Sequence, residues 1–210
     1  TQNYESLTNG EAAKSIVIKG EAGVGKSRLK DEFLSKIDKS LCHVFETSCY
    51  AAEKQYFFKP LAPIISEIKK IMKKSDIELP KNYEKTLSTI FPEFSDNKTN
   101  LQNRSLEEIM GEIKFDMMGD IISDILERLS QIKNILIVID DIQYADSMTI
   151  STLSSIILHQ KRNDIIFLAT YRNEEEKNVE NMISSLNLSD KLITINLSRF
   201  SEKETKSLVK

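Results

Sequence analysis

SIVIKGEAGVGKSRLKDEF, residues 15–33, runs from a short apolar segment through a glycine-rich loop into a stretch with helical spacing. Gly20, Gly25, Lys26 and Ser27 fit G-x-x-x-x-G-K-[ST]. Successive backbone N–H groups of such a loop, with the N-terminus of the helix it opens, make an anion site that favours phosphate. Gly23 and Gly25 permit backbone conformations and a close approach that a β-carbon would hinder. The expected phosphate cradle is Gly20, Glu21, Ala22, Gly23, Val24, Gly25, Lys26, Ser27 and Arg28. Lys26 is expected to set its ammonium against β- and γ-phosphates, and Ser27 to offer its hydroxyl to Mg²⁺. A chance glycine-rich turn is the bland alternative; an apolar run before it and an amphipathic stretch after it argue against that.

The rest of the chain bounds what such a loop can serve. The 210 residues suffice for one sizeable core, and 40% hydrophobic with 29% charged is ordinary for a globular domain. A net charge of -3 shows no basic excess of the kind that marks a nucleic-acid footprint, so no direct nucleic-acid contact is expected. Cys42 and Cys49 have neither metal-ligand spacing nor a disulfide framework, which points to free thiols packed in a reducing, cytoplasmic setting. No apolar stretch reaches the roughly 18 residues of a membrane span. The chain opens at Thr1 and stops at Lys210 within a helical pattern. It is expected to be a piece of a longer protein.

Five runs rich in Ile, Val and Leu punctuate the sequence at 15–19, 43–48, 135–139, 165–170 and 192–196. Continuous runs of this kind suit strands buried on both faces of a parallel sheet. Helical spacing places Leu29, Phe33, Leu34 and Ile37 on one face over 26–37, and Ile150, Leu153, Ile156 and Ile157 over 147–159. Strand alternating with helix predicts an α/β parallel sheet. Residues 60–131 interrupt this alternation as a helical insertion. A helix after Pro60 carries Leu61, Ile64, Ile65, Ile68, Ile71 and Met72. A longer one over 105–131 carries Ile109, Ile113, Met117, Ile121, Ile125 and Leu129, with the polar stretch 95–104 as a surface loop before it.

ILIVIDDIQYAD, residues 135–146, is the second constellation. A strand ending in an acid carries a carboxylate rigidly to the sheet edge where the phosphates and Mg²⁺ would sit. Asp140 is expected to serve the metal through a water, and Asp141 to orient or deprotonate the attacking water. The alternative is that both acids merely close a strand. Asp146 reads as the cap of the helix that follows. His43 and His159 lack a second ligand-type neighbour and read as structural, and Met110, Met117 and Met118 as core packing.

With GEAGVGKSRLKDEF, TSCYAAEKQYFFKPLAPII, FPEF, LIVIDDIQYADSMTISTL, IIFLATYRNEE and LSRFSEKETKSLV in this order, the chain resembles the ATPase domain of the STAND class. The likeness is to the AAA-type module of large LuxR/MalT-like transcriptional regulators and of some adenylate cyclase- or kinase-linked proteins. DDIQYAD resembles the family's D-D-[LI]-[HQ]-W-A-D, with Tyr144 in place of tryptophan. The G-R-x-x-E element that usually precedes the first strand is absent. The resemblance implies a three-layer P-loop NTPase domain over 1–210 that binds ATP or ADP with Mg²⁺, hydrolyses ATP slowly and switches a larger signalling protein. It also implies neighbouring domains, nucleotide-dependent homo-oligomers, and a sensor role for Arg172 in ATYR. Adenine is preferred by default, because Asn97-Lys98-Thr99-Asn100 lacks the acid of a guanine-reading N-K-x-D. Three other readings stay open: a nucleic-acid motor or loader of the AAA type, a small-acceptor phosphotransferase, and a nucleotide-binding scaffold without turnover.

Overall fold

The computed structural model describes residues 13–91, 94, 115–160, 164–172 and 176–199. Its strands are β1 (Ser15–Gly20), β2 (Cys42–Ser48), β3 (Asn134–Asp140), β4 (Ile165–Tyr171) and β5 (Leu192–Leu197). Each predicted run is a strand, longer by one residue at one end or both. The helices are α1 (Lys26–Leu34), α2 (Ala62–Lys74), α3 (Lys81–Leu87), α4 (Phe115–Ser130), α5 (Ser147–His159) and α6 (Lys177–Leu188).

All strand pairs are parallel, in the order β2-β3-β4-β1-β5. The alternating pleat sends Val17, Phe45, Ile137, Ile139, Phe167 and Ala169 into one core with α2, α4, α5 and α6. Ile16, Ile18, Leu136, Val138 and Leu168 go to the opposite face, where Phe33 and Leu34 of α1 and Ile37 just beyond it cover them. Helices on both faces explain why the strands read as continuous apolar runs. The described parts of residues 60–131 belong to the first core: Ile64, Ile65 and Ile68 of α2, Leu87 of α3, and Ile121, Ile125 and Leu129 of α4 are all buried there.

Some helical expectations shift. The helix predicted over 26–37 ends at Leu34, and Ile37 reaches the core through a tight turn in which its N–H donates to the Leu34 carbonyl. Leu29 is exposed, because the sheet-facing stripe of α1 runs through Lys26, Lys30 and Phe33 instead. On α4 the buried hydrophobic positions among the described residues are Met118, Ile121, Ile122, Ile125, Leu126 and Leu129, and Met117 is exposed. Met110, Ile109, Ile113, the loop 95–104, Glu174, Glu175 and most of LSRFSEKETKSLV lie outside the described residues. Helices α3 and α6 were not singled out by the sequence pattern. Both thiols are buried, and desolvation pushes Cys42 up to about 11 and Cys49 up to about 12, as expected of packing cysteines. Burial likewise lowers His43, which stacks on Phe45. Among the described residues no helix is long and apolar enough to cross a membrane.

Candidate functional site

The strand order decides what meets at the carboxyl edge of the sheet. β4 lies between β1 and β3, with Lys19 level with Tyr171 and Ile139 level with Ala169. The chain leaving β1 at Gly20 therefore emerges beside Arg172, one residue past β4, and the acids ending β3 emerge on the other side.

The loop after β1 turns through two glycines in the left-handed region, Gly23 at φ 76° and Gly25 at φ 103°. Gly25 precedes α1 without any side-chain cap, and no acid occupies the first turn. A helix start without a side-chain cap or a competing acid is suited to an anion. Gly20 is required for another reason: a β-carbon there would lie 2.7 Å from the Leu197 carbonyl oxygen and 2.9 Å from Val24 Cγ1. Lys26 is only 6% exposed, and its ammonium donates to the carbonyls of Gly20 and Glu21, both at 2.9 Å. Glu21 reaches outward to Arg199 at 3.0 Å.

A cleft of about 270 Å³ is lined by Ala22, Gly23, Gly25, Lys26, Ser27, Arg28, Asp141 and Arg172. Three cations face one acid, so the cleft favours an anion, and its size suits the phosphate end of a nucleotide better than the whole molecule. Among the described residues no group of three or more His, Cys, Asp or Glu could cage a metal. Mg²⁺ at ATP sites usually takes one or two protein ligands plus phosphate oxygens; Ser27, in the lining, could supply one, and Asp140 could serve the ion through a water.

Asp141 stands at φ 54°, ψ 52°, a left-handed conformation that Asp tolerates better than most residues. Its N–H donates to Thr170 Oγ1 at 2.8 Å. Its carboxylate is held by Arg172, with Nε to Oδ1 and Nη2 to Oδ2 both at 3.1 Å. Gln143, fully buried, donates from Nε2 to Asp141 Oδ1 at 3.0 Å and accepts the Arg172 N–H at 3.1 Å. The Arg172 guanidinium lies 5.7 Å from the centre of the Tyr144 ring, so the aromatic at this position has a cation to face.

Asp140 is not among the residues lining the cleft. Lys30 Nζ donates to its Oδ2 at 2.8 Å, and the Thr170 hydroxyl donates to its Oδ1. Burial alone would raise the Asp140 carboxyl, but these two donors and the Lys30 charge hold it below the usual carboxylate range. For Lys30 burial pulls downward, and the Asp140 bond and charge leave it above its ordinary value.

Asp146 is a cap, as its position suggested: Oδ1 accepts from the N–H groups of Met148 and Thr149 at the start of α5. Its Oδ2 also accepts from Phe58 N–H and the Thr149 hydroxyl, a tie across the fold that sequence gave no sign of. Lys30, Thr170 and Gln143, which hold the two acids in place, were not singled out in the sequence. Lys30 alone had a signal, since it sits one helical turn from Lys26 on the same face.

A parallel sheet with a glycine-rich loop closing on a helix N-terminus, and an acid pair beside it, defines a P-loop nucleotide-binding domain. The family model of the AAA ATPase domain matches residues 1–168, and the chain belongs to that family. It is an AAA-type ATPase domain. No curated protein matches the chain. Among solved structures, Cdc6p of Pyrobaculum aerophilum aligns with a TM-score of 0.50 at 14% identity, covering 99% of this chain and 46% of that one. The ORC2 protein of Aeropyrum pernix, in ADPNP-ADP complexes, aligns at 0.47 and 11%, covering 99% and 50%. A STAND protein with a tetratricopeptide repeat sensor from Pyrococcus horikoshii aligns at 0.47 and 15%, covering 99% and 24%. The chain thus spans half or less of each of these proteins, and at such identities the likeness is one of fold.

Proposed function

We propose that this domain is a nucleotide switch of the STAND kind: it binds ATP or ADP with Mg²⁺, hydrolyses ATP slowly, and sets the state of a longer signalling or transcription-regulating chain. The observation that carries the reading is the Arg172–Asp141 pair within the cleft. Bound Mg-ATP would supply the scissile phosphoanhydride and a counter-charge on its oxygens. Asp141 is the group suited to orienting or deprotonating the attacking water, and Arg172 engages both of its oxygens. Arg172 is the residue that would take a terminal phosphate oxygen, which would free Asp141 Oδ2 while Gln143 holds Oδ1. Lys26, which donates to the Gly20 and Glu21 carbonyls, would likewise turn its charge to the phosphates. A base that must first be unlocked turns over slowly, which suits a bound state that neighbouring domains, or further copies of the chain, have to read.

The test pairs two variants in a form of the protein shown to hydrolyse ATP. Asp141→Asn is expected to keep Mg-ATP binding within a few-fold and lose most turnover. Arg172→Ala is expected to cost about tenfold in affinity for ATP relative to ADP, the equivalent of one charge-assisted hydrogen bond. Unchanged turnover in the first, or an unchanged ATP-to-ADP ratio in the second, overturns the switch assignment. A motor or loader would instead be stimulated by single-stranded DNA, which the net charge of -3 argues against.

A further inference from the structure

We propose that Lys30 is the positioning residue for Asp140 and sets the Mg²⁺ requirement of the site: it holds the carboxylate in place before metal arrives and weakens metal binding once it does. The inference rests on the reading of Asp140 as the metal-serving acid. It begins from the placement of a lysine on the inner stripe of α1, one turn beyond Lys26. The Lys30 side chain is 13% exposed and that of Asp140 20%, so their 2.8 Å contact is largely shielded from solvent. Asp31, the other acid near the ammonium, is 3.6 Å away and mostly exposed, so Asp140 is its principal partner.

Two consequences follow from charge and geometry. First, Asp140 has a donor on each oxygen, Lys30 on Oδ2 and Thr170 on Oδ1, so its rotamer is fixed without metal. The same Thr170 hydroxyl accepts the Asp141 N–H, which ties the pose of one acid to the next. Second, Mg²⁺ gives up its water reluctantly and needs negative charge to do so. The ammonium cancels the charge of the acid that would attract it, and because the pair is shielded, salt does not remove the effect. Lys30, like Asp140, stands behind the lining of the phosphate cleft, and it borders a separate cleft of about 450 Å³ with Glu46, Ser48 and Tyr50. Its removal should leave metal-free contacts to the phosphates intact.

The experiment is a Mg²⁺ titration of binding to a fluorescent ATP analogue, read by anisotropy on the 210-residue protein. Lys30→Met is expected to lower the half-saturating Mg²⁺ concentration by about fivefold or more, since a unit charge close to the cation is lost. Lys30→Arg should restore the wild-type midpoint, and affinity for the ADP analogue in EDTA should be the same in all three proteins. Lys30→Gln, which keeps a donor but drops the charge, carries the test if the methionine variant does not fold. A midpoint that stays put or rises in the folded neutral variants overturns the proposal. Asp140→Asn in the wild-type background separates the two layers: a Mg²⁺ midpoint indifferent to it shows that Asp140 does not serve the metal and removes the premise along with the inference.

Discussion

Of the three acids in DDIQYAD, Asp146 offers the sharpest separation of scaffold from chemistry. It is 2% exposed and accepts four hydrogen bonds: Met148 N–H at 3.0 Å, Thr149 N–H at 2.9 Å, Thr149 Oγ1 at 2.6 Å and Phe58 N–H at 3.1 Å. Asp146→Ala removes the cap of α5, worth about 1–2 kcal/mol. It also leaves the Phe58 N–H without this acceptor inside the core, which costs about 1–3 kcal/mol more. Relief from burying a carboxylate offsets part of this. The expected loss is about 2–4 kcal/mol, or roughly 4–16 °C in melting midpoint for a domain of this size. Asp146→Asn has one acceptor oxygen instead of two, so it can serve the helix amides or Phe58 but not both, and should fall about midway. Urea unfolding followed by circular dichroism gives the stabilities, and nucleotide affinity measured well below the midpoint should stay close to wild type. A loss under about 1 kcal/mol for Asp146→Ala, or a stable variant that no longer binds nucleotide, would refute the assignment of this acid to the scaffold.

Two further outcomes test the phosphate loop. Saturating Mg-ADP, at about a hundred times Kd, should raise the melting midpoint by roughly 5–11 °C. Lys26→Ala should abolish most of that rise in the same thermal scan. Gly20→Ala forces a methyl onto the Leu197 carbonyl, a backbone atom that cannot rotate away, and should cost about 1–3 kcal/mol in urea unfolding; a neutral result would show that the end of β5 yields freely.

The fold was legible where burial is two-sided. The runs at 135–139 and 165–169 are apolar without a break because α1 covers one face and α2, α4, α5 and α6 the other, so each position is under the same demand. The insertion was legible as helices, since α2 and α4 carry broad apolar stripes. What period alone could not give was attachment: Ile64 and Ile121 look the same whether their helix packs on the sheet or on a partner, and only the three-dimensional core places them against β2 and β3. α3 escaped notice because its seven residues bury Leu87 alone, too short a stretch to show a period.

The site divides along a different line. Backbone geometry was readable in the loop after β1, because left-handed turns leave a glycine signature at Gly23 and Gly25. Side-chain pairing was not, because Lys30 and Asp140 stand 110 residues apart and Asp141 and Arg172 stand 31 apart, with no local pattern binding them. The topology supplies the link. With β4 inserted between β1 and β3, Thr170 near its end and Arg172 just past it stand between the phosphate loop and the acid pair. Thr170 bonds both acids, and Arg172 is held by Asp141 and Gln143 while lining the cleft with Lys26. A charge arriving in that cleft therefore acts on β4 and on the end of β3 together. This shared set of contacts is what the proposed sensor role of Arg172 requires, and it is built by strand order, to which a linear reading has no access.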